Sequence, residues 1–253
     1  MEFKDKVVVI TGGSGGIGSA TAEIFAENGA KLVLIGTSSE KTEKKAKELG
    51  LKEGEYLALG ADVSKEADVK AYVDATVDKF GRIDVFFNNA GVSGDIANTA
   101  DISSENMEKI YGVNIMGVHF GLKHVLKVML KQKSGSIINT SSLAGLRGFP
   151  GLGAYVASKH AVVGLTRTAA LEVAGEGVRV NAICPAPVET RMMDTIEKDM
   201  GEGARENFEA GVPMKRYGKR EEIARLVYFL ASDKASFITG GIYTIDGGQS
   251  AKA

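Results

Sequence analysis

Short runs of apolar residues recur along this chain, and longer stretches of helical character lie between them. The apolar runs lie at 7–10, 32–35, 56–59, 85–87, 136–140, 178–184 and 242–245. Because they are continuous rather than alternating with polar positions, they are typical of parallel strands that helices cover on both faces. The stretches between them predict helices at 18–28, 39–49, 65–80, 103–131, 155–174 and 220–230.

This alternation of strands and helices predicts the fold class. Connections from a strand through a helix to a parallel strand are almost always right-handed. The order therefore implies an α/β fold with a Rossmann-like, doubly wound, seven-stranded parallel sheet flanked by helices on both faces. No segment resembles a linker, so we expect one domain over residues 1–253. Ligands of such sheets bind outside the carboxyl ends of the strands.

Composition narrows the classes of partner. The 31 basic residues nearly balance the 32 acidic ones, which argues against nucleic acid or an anionic membrane and favours a small neutral substrate. No apolar run reaches the ~18 residues of a membrane span, and the N-terminus lacks a signal-peptide pattern. Cys184 is the only cysteine, so no disulfide can form within the chain. We expect a cytoplasmic location.

A glycine-rich turn follows the first predicted strand. Residues 11–18 read Thr-Gly-Gly-Ser-Gly-Gly-Ile-Gly and lead into a predicted helix. A pyrophosphate can approach the backbone closely at such a turn, where the free N–H groups and dipole of the helix favour an anion. The order of strand, turn and helix therefore indicates a dinucleotide site. The run also fits G-x-G-x-x-G from Gly13, so spacing alone leaves open which glycines touch phosphate.

A candidate proton-transfer pair lies in the predicted helix at 155–174. Tyr155 and Lys159 are four residues apart, so on a helix they share one face at ~5–6 Å between Cβ atoms. A nearby ammonium lowers the pKa of a phenol from its ordinary ~10, which allows proton exchange with an alcohol. The plain alternative is a surface helix with a solvated lysine.

Two further features favour the chemical interpretation of this pair. The predicted strand at 136–140 ends in Ser141 and Ser142, where a hydroxyl could hydrogen bond to a substrate oxygen. Asn114 lies inside a long apolar helix, where its amide needs partners; a satisfied core amide is the alternative to a site residue.

Taken together, these residues resemble the short-chain dehydrogenase/reductase family over essentially the whole chain. Three of its patterns are matched. Residues 11–18 are similar to the T-G-x-x-x-G-I-G pattern, and this resemblance selects one of the two possible glycine patterns. Residues 88–91 resemble the N-N-A-G segment. The catalytic tetrad of the family falls on Asn114, Ser142, Tyr155 and Lys159. Ser142 rather than Ser141 stands thirteen residues before the tyrosine.

The resemblance implies a role for each member of the tetrad. Ser142 would orient and polarise the substrate oxygen, and Tyr155 would give its proton in reduction or take it in oxidation. Lys159 would hold the nicotinamide ribose and lower the tyrosine pKa, while Asn114 would hold a water that relays protons to the lysine. Hydride passes directly between nicotinamide and substrate, so no metal is expected.

The resemblance also implies which residues contact the nicotinamide dinucleotide. They come from the glycine turn, the ends of the following strands and the tetrad: Gly12, Ser14, Gly15, Gly16, Ile17, Gly18, Thr37, Ser38, Asp62, Val63, Asn89, Ala90, Gly91, Tyr155, Lys159, Pro185, Val188 and Thr190. Ala186 departs from the family, which usually has glycine there, and alanine allows fewer backbone conformations.

The end of the second predicted strand bears on the choice of cofactor. An acidic residue there would bind the ribose hydroxyls and repel a 2′-phosphate, but this chain has Gly36, Thr37 and Ser38. We therefore expect NADP(H). NAD(H) is the alternative, because Gly15 stands where many NADP-using relatives have a basic residue.

The expected activity is the interconversion of a ketone and a secondary alcohol, an oxidoreductase reaction on CH–OH groups. By resemblance, an apolar substrate site would be lined by Leu143, Phe149, Leu152 and Met192, with a substrate loop region at about 186–215. Reduction of a 3-oxoacyl thioester on an acyl carrier protein is the alternative. The intact tetrad argues against a catalytically inactive cofactor-binding or scaffold protein. The resemblance also implies a homotetramer.

Overall fold

Seven parallel strands form the centre of the molecule. The computed structural model describes residues 1–251, and the strands lie in the order β3-β2-β1-β4-β5-β6-β7. Strands β1 to β7 span Val7–Thr11, Lys31–Gly36, Tyr56–Gly60, Val85–Asn88, Gly135–Thr140, Val178–Pro185 and Ile242–Ile245. The strand order reverses at β1, which pairs with β2 on one side and β4 on the other. The predicted fold class is confirmed, and each predicted strand is present with its ends shifted by at most one residue.

Helices cover both faces of this sheet. In the described residues, helices α1 to α9 span Gly16–Glu27, Ser39–Glu48, Glu66–Phe80, Ser104–Tyr111, Gly117–Gln132, Gly153–Val173, Arg191–Met200, Ala204–Gly211 and Arg220–Ala231. Helices α3, α5 and α6 pack on one face, and α1, α2 and α9 on the other. Within β1, Val7 and Val9 belong to the first core, whereas Val8 and Ile10 belong to the second. This burial on both faces explains the continuous hydrophobicity of the central strands, whereas the edge strands β3 and β7 are only partly buried.

Two stretches differ from the sequence-based expectation. The helix predicted at 103–131 is interrupted by one π-helical turn, Gly112–Met116, which contains Asn114. Such turns insert one residue into a helix and are frequent at functional sites. The region at about 186–215 is not all loop, because α7 and α8 occupy much of it. Among the described residues, these two helices bury only Ile196 and Ala204, so they contribute little to the core.

The structure was also searched for helices that could cross a membrane. Within residues 1–251, no helix is both long enough and apolar enough to do so.

Candidate active site

The glycine turn joins β1 to α1 and leaves its backbone open. Gly12 has a φ of +68°, a left-handed conformation that favours glycine. A Cβ on Gly18 would overlap the carbonyl oxygen of Gly12, whereas a Cβ on Gly15 would meet no atom within 4 Å. These contacts give a steric reason for the T-G-x-x-x-G-I-G pattern, in which Gly12 and Gly18 must be glycine.

The N-terminus of α1 is open to an anion. Among the described residues, no side chain caps its first N–H groups, and its first turn contains no acidic residue. Free N–H groups at a helix N-terminus attract phosphate. The open glycine backbone and the uncapped helix fit the pyrophosphate of a dinucleotide.

Hydrogen bonds fix the carboxyl ends of β1, β4 and β5 relative to one another. The Thr11 hydroxyl accepts the N–H groups of Asn89 (2.8 Å) and Ala90 (3.0 Å). The Asn89 amide donates to the Thr11 carbonyl (3.0 Å) and accepts the Thr140 hydroxyl (3.3 Å). Neither threonine was among the predicted site residues, although Thr11 opens the T-G-x-x-x-G-I-G pattern.

Ser142 and Tyr155 converge on one another. The Ser142 hydroxyl accepts the N–H of Ala144 at 3.1 Å, so its own hydrogen is free to be donated. Tyr155, in the first turn of α6, is half-buried. Burial raises the pKa of the Tyr155 phenol, and a hydrogen bond with the Ser142 hydroxyl opposes that rise. The two oxygens therefore face the same space.

Lys159 lies below the tyrosine, in the interior. Its side chain is 3% exposed, and its Nζ donates to the Thr140 carbonyl at 2.9 Å. The same Nζ lies 5.6 Å from the centroid of the Tyr155 ring. Burial lowers the pKa of Lys159 to about 8. A solvated surface lysine, the plain alternative for this pair, is therefore wrong.

The two adjacent serines have different environments. The Ser141 hydroxyl donates to the Lys159 carbonyl at 2.9 Å, and Ser141 is 2% exposed. Its hydrogen is therefore used inside the protein rather than for a ligand. The Cys184 thiol is also buried, and it lies close to the Ser141 side chain. Burial raises the pKa of this thiol. Nothing in the local sequence distinguished Cys184 as a neighbour of the site.

Asn114 is a buried amide that makes three hydrogen bonds. It is inaccessible to solvent, donates to the Val92 carbonyl (2.9 Å) and the Ser158 hydroxyl (3.0 Å), and accepts the Val92 N–H (2.9 Å). A Cβ built on Gly91 would lie 3.3 Å from Asn114 Oδ1 and 3.4 Å from Lys159 Nζ. A side chain at residue 91 would therefore crowd Asn114 and Lys159, and glycine lets both approach the backbone there.

Comparison with known proteins places this geometry in a family. A family profile described as enoyl-(acyl carrier protein) reductase matches residues 12–250. Levodione reductase of Leifsonia aquatica is 46% identical over 98% of this chain and 96% of its own length. The 3-oxoacyl-(acyl-carrier-protein) reductase of Thermotoga maritima is 40% identical over 98% of this chain and 99% of its own length.

Solved structures agree with these sequence matches. A crystal structure of levodione reductase has a TM-score of 0.95 at 45% identity and covers 99% of this chain and 100% of its own. This chain belongs to the short-chain dehydrogenase/reductase family. A crystal structure of NAD⁺-bound xylitol dehydrogenase, at 36% identity, has a TM-score of 0.91 and covers 98% of this chain and 100% of its own.

Within this family fold, the predicted adenosine-side residues lie at the ends of β2 and β3. Ser38 caps α2 by accepting the Lys41 N–H at 3.3 Å, and Thr37 is exposed beside it. The Asp62 carboxylate accepts the hydroxyl and N–H of Ser64, and the hydroxyl bond is the largest cause that lowers its pKa. Val63 is buried against Gly117 of α5.

The segment after β6 lies against the glycine turn. The Thr190 side chain is 3.4 Å from the position of a Cβ on Gly16. Pro185 ends β6, and Val188 is buried where it bridges to Gly218. Among the described residues, left-handed φ values outside glycine occur only at Asp5, Lys133 and Lys215. Ala186 therefore takes the place of the usual family glycine without a left-handed backbone.

The four predicted substrate residues differ in exposure. Leu143 is 2% exposed in a 3₁₀ turn directly after Ser142. Phe149 is half-buried with the Arg147 guanidinium 5.1 Å from its ring centroid, and Leu152 bridges to Ala97. Met192, on α7, is 36% exposed. Its exposure leaves Met192 accessible to a ligand, whereas Leu143 is covered.

Proposed function

We propose that this chain is an NAD(P)-dependent oxidoreductase that interconverts a ketone and a secondary alcohol, with Tyr155 as acid and base. The observation that carries the proposal is that Ser142, Tyr155 and the buried Lys159 lie together: Lys159 Nζ is 5.6 Å from the centroid of the tyrosine ring, and the Ser142 hydroxyl is close enough to the phenol to affect its pKa. These groups come from β5 and α6, and they meet where ligands of doubly wound sheets bind.

Each side chain has a distinct task in this proposal. Ser142 donates its free hydrogen to the substrate oxygen, and Tyr155 transfers the proton. Lys159 uses one hydrogen for the Thr140 carbonyl and keeps two for a ribose hydroxyl. In this proposal, its charge offsets part of the rise that burial causes in the Tyr155 pKa. The family resemblance gives Asn114 the task of holding a water that relays protons to Lys159; its Oδ1 accepts one N–H and has a second lone pair for that water. A bound nicotinamide dinucleotide supplies or accepts the hydride.

NADP(H) is the proposed cofactor, with NAD(H) as the alternative. No acidic residue stands at Gly36, Thr37 or Ser38, and Thr37 is exposed. A 2′-phosphate would therefore meet hydroxyls rather than a carboxylate. The NAD⁺-bound xylitol dehydrogenase keeps the alternative open.

The proposed substrate is a hydrophobic ketone or its alcohol. Levodione reductase is the relative that supports this class. The 40% identity to a 3-oxoacyl-(acyl-carrier-protein) reductase supports the second candidate, a thioester-bound 3-oxoacyl group. We propose further that residues 1–253 form one cofactor-binding and catalytic domain and that the chain is a cytoplasmic homotetramer.

The test is a panel of ketones and one acyl-carrier thioester, assayed with NADPH and with NADH. We expect kcat/KM to be higher with NADPH; a clear preference for NADH would refute the choice of NADP(H).

We expect Tyr155→Phe to lose about 10²–10⁴-fold in kcat while it still binds cofactor in a fluorescence titration, because only the transferable proton is removed.

Tyr228→Phe is the matched control, because this tyrosine lies on α9, across the sheet from α6. It should keep wild-type kcat. Near-normal turnover by Tyr155→Phe would exclude the proposed proton transfer. Tight cofactor binding by the wild type without turnover of any substrate would favour a catalytically inactive binding protein.

A further inference from the structure

A buried line of hydrogen bonds crosses from the sheet to α6, away from the tetrad. Asn88 donates to Asn139 at 3.2 Å, Asn139 donates to the Thr166 hydroxyl at 2.9 Å, and Thr166 donates to the Val162 carbonyl at 2.7 Å. Asn88 is 3% exposed, and Asn139 and Thr166 are inaccessible to solvent. The line connects β4, β5 and α6 through the core on the α5 and α6 side.

All side chains in this line of hydrogen bonds are buried. The remaining hydrogen of the Asn88 amide is donated to the Val118 carbonyl of α5 at 3.1 Å. Buried polar groups weaken a core unless they are paired, and apolar side chains of similar size would fill this space without that requirement. Hydrogen bonds also have a preferred geometry, so each of these bonds is satisfied in only one arrangement of strand and helix.

The two elements joined by Asn139 and Thr166 are those that carry the chemical groups. Asn139 lies on β5, three residues before Ser142, which follows the strand; in extended backbone this is a distance of ~10 Å. Thr166 follows Tyr155 by eleven residues on α6, ~16 Å along the axis and on nearly the same face. Near the site, Lys159 attaches α6 to the end of β5, since its Nζ donates to the Thr140 carbonyl and its carbonyl accepts the Ser141 hydroxyl. The bond at Thr166 is a distant second attachment.

We propose that Asn139 and Thr166 are positioning residues that fix the rotation and axial position of α6 on β5, and so the approach of Tyr155 to Ser142. The inference rests on the proposed function of that pair. An attachment at one end would allow the helix to pivot, whereas attachments far apart along its axis resist pivoting. Displacements of ~1 Å at a reacting group can reduce rates by about 10²-fold.

The experiment compares Thr166→Val, Thr166→Ser and the matched control Thr168→Val. Thr168 is exposed on the same helix. We expect Thr166→Val to lower kcat by about tenfold with KM little changed, and to shift the midpoint of the pH profile of kcat. Thr166→Ser, which keeps the hydroxyl, should restore both values, and Thr168→Val should match the wild type.

A merely structural role predicts a different result. Thr166→Val would then melt at a lower temperature but keep the wild-type kcat and pH midpoint at temperatures where it is folded, and that result would overturn the proposal. If Thr166→Val fails to fold, the double variant Asn139→Leu with Thr166→Val replaces both partners with apolar groups, a change that is often nearly neutral for stability. A folded double variant with wild-type kcat would also overturn it.

The outcome is separable from that of the proposed function. An inactive Tyr155→Phe with a fully active Thr166→Val would reject the positioning role alone. An active Tyr155→Phe would reject the proposed proton transfer itself.

Discussion

At the scale of single residues, the contacts of each side chain decide what chemistry it can carry out. Lys159 and Ser141 are both buried, yet Lys159 has its Nζ beside the Tyr155 ring, whereas the Ser141 hydroxyl is used by a backbone carbonyl. Ser142 keeps a free hydrogen because its oxygen accepts from Ala144. Neighbouring residues of the same type therefore have different chemical capacities.

The lowered pKa of Lys159 predicts a pH dependence of stability. Burial lowers this pKa from 10.5 to about 8, so between these pH values the folded protein binds fewer protons than the unfolded chain. By linkage, the contribution of Lys159 to the free energy of unfolding rises as the pH increases through this window. Urea denaturation at several pH values should show that the stability of the wild type relative to Lys159→Met increases between pH 8 and 10.5.

The control for this prediction is Lys131→Met, which changes an exposed lysine of α5. The stability difference between wild type and this variant should stay constant with pH. Parallel pH curves for wild type and Lys159→Met would show that Lys159 titrates normally in the folded protein.

At the scale of elements, the π-helical turn before α5 brings Asn114 to the segment that follows β4. The Asn114 amide bonds both the N–H and the carbonyl of Val92, as a neighbouring strand would. It also bonds Ser158 of α6, whose hydroxyl donates to the Tyr155 carbonyl. One side chain thus joins three elements that surround the site.

We expect Asn114→Ala to lower the free energy of unfolding by about 2–4 kcal/mol, because it leaves several buried polar groups without partners. Urea denaturation measures this change. Asn207→Ala, at an exposed position of α8, should change the same quantity by no more than about 0.5 kcal/mol. Equal effects of the two variants would mean that the Asn114 bonds contribute little to stability.

At the scale of the whole molecule, large apolar side chains remain on the surface. Phe237 is fully exposed and Leu171 is 85% exposed. The segment that follows Phe237 packs against the helix that carries Leu171. A Cβ on Gly240 would lie 3.6 Å from the Cβ of Ala170, the residue before Leu171. Single exposed apolar residues are normal on a protein surface, whereas contiguous apolar patches mark interfaces. The proposed homotetramer predicts that a partner subunit covers Phe237.

Phe237→Glu is expected to reduce the proportion of tetramer, because it places a charge where apolar surface would be buried. Sedimentation velocity measures the distribution of species. Met200→Glu, on α7 with Met200 53% exposed, serves as control and should leave the distribution unchanged. A wild-type chain that sediments as a monomer would contradict the proposed assembly.

The sequence by itself determined the sheet and the candidate chemistry. Strands buried on both faces must be largely apolar, so the central strands were visible as continuous runs; the partly buried edge strands β3 and β7 also have mostly apolar sequences. The glycine turn and the spacing of Tyr155 and Lys159 were visible because both depend on residues close together in the chain. Helices α7 and α8 were missed because they bury only Ile196 and Ala204.

Tertiary structure decided which of these residues meet, and in what state. The spacing of residues left Ser141 and Ser142 equivalent, and only the family resemblance preferred Ser142; the structure adds the reason, since Lys159 occupies the Ser141 hydroxyl. The lowered pKa of Lys159 and the bond from Asn139 to Thr166 likewise depend on packing between β5 and α6. Such contacts join residues far apart in the chain, and local sequence patterns do not encode distances of that kind.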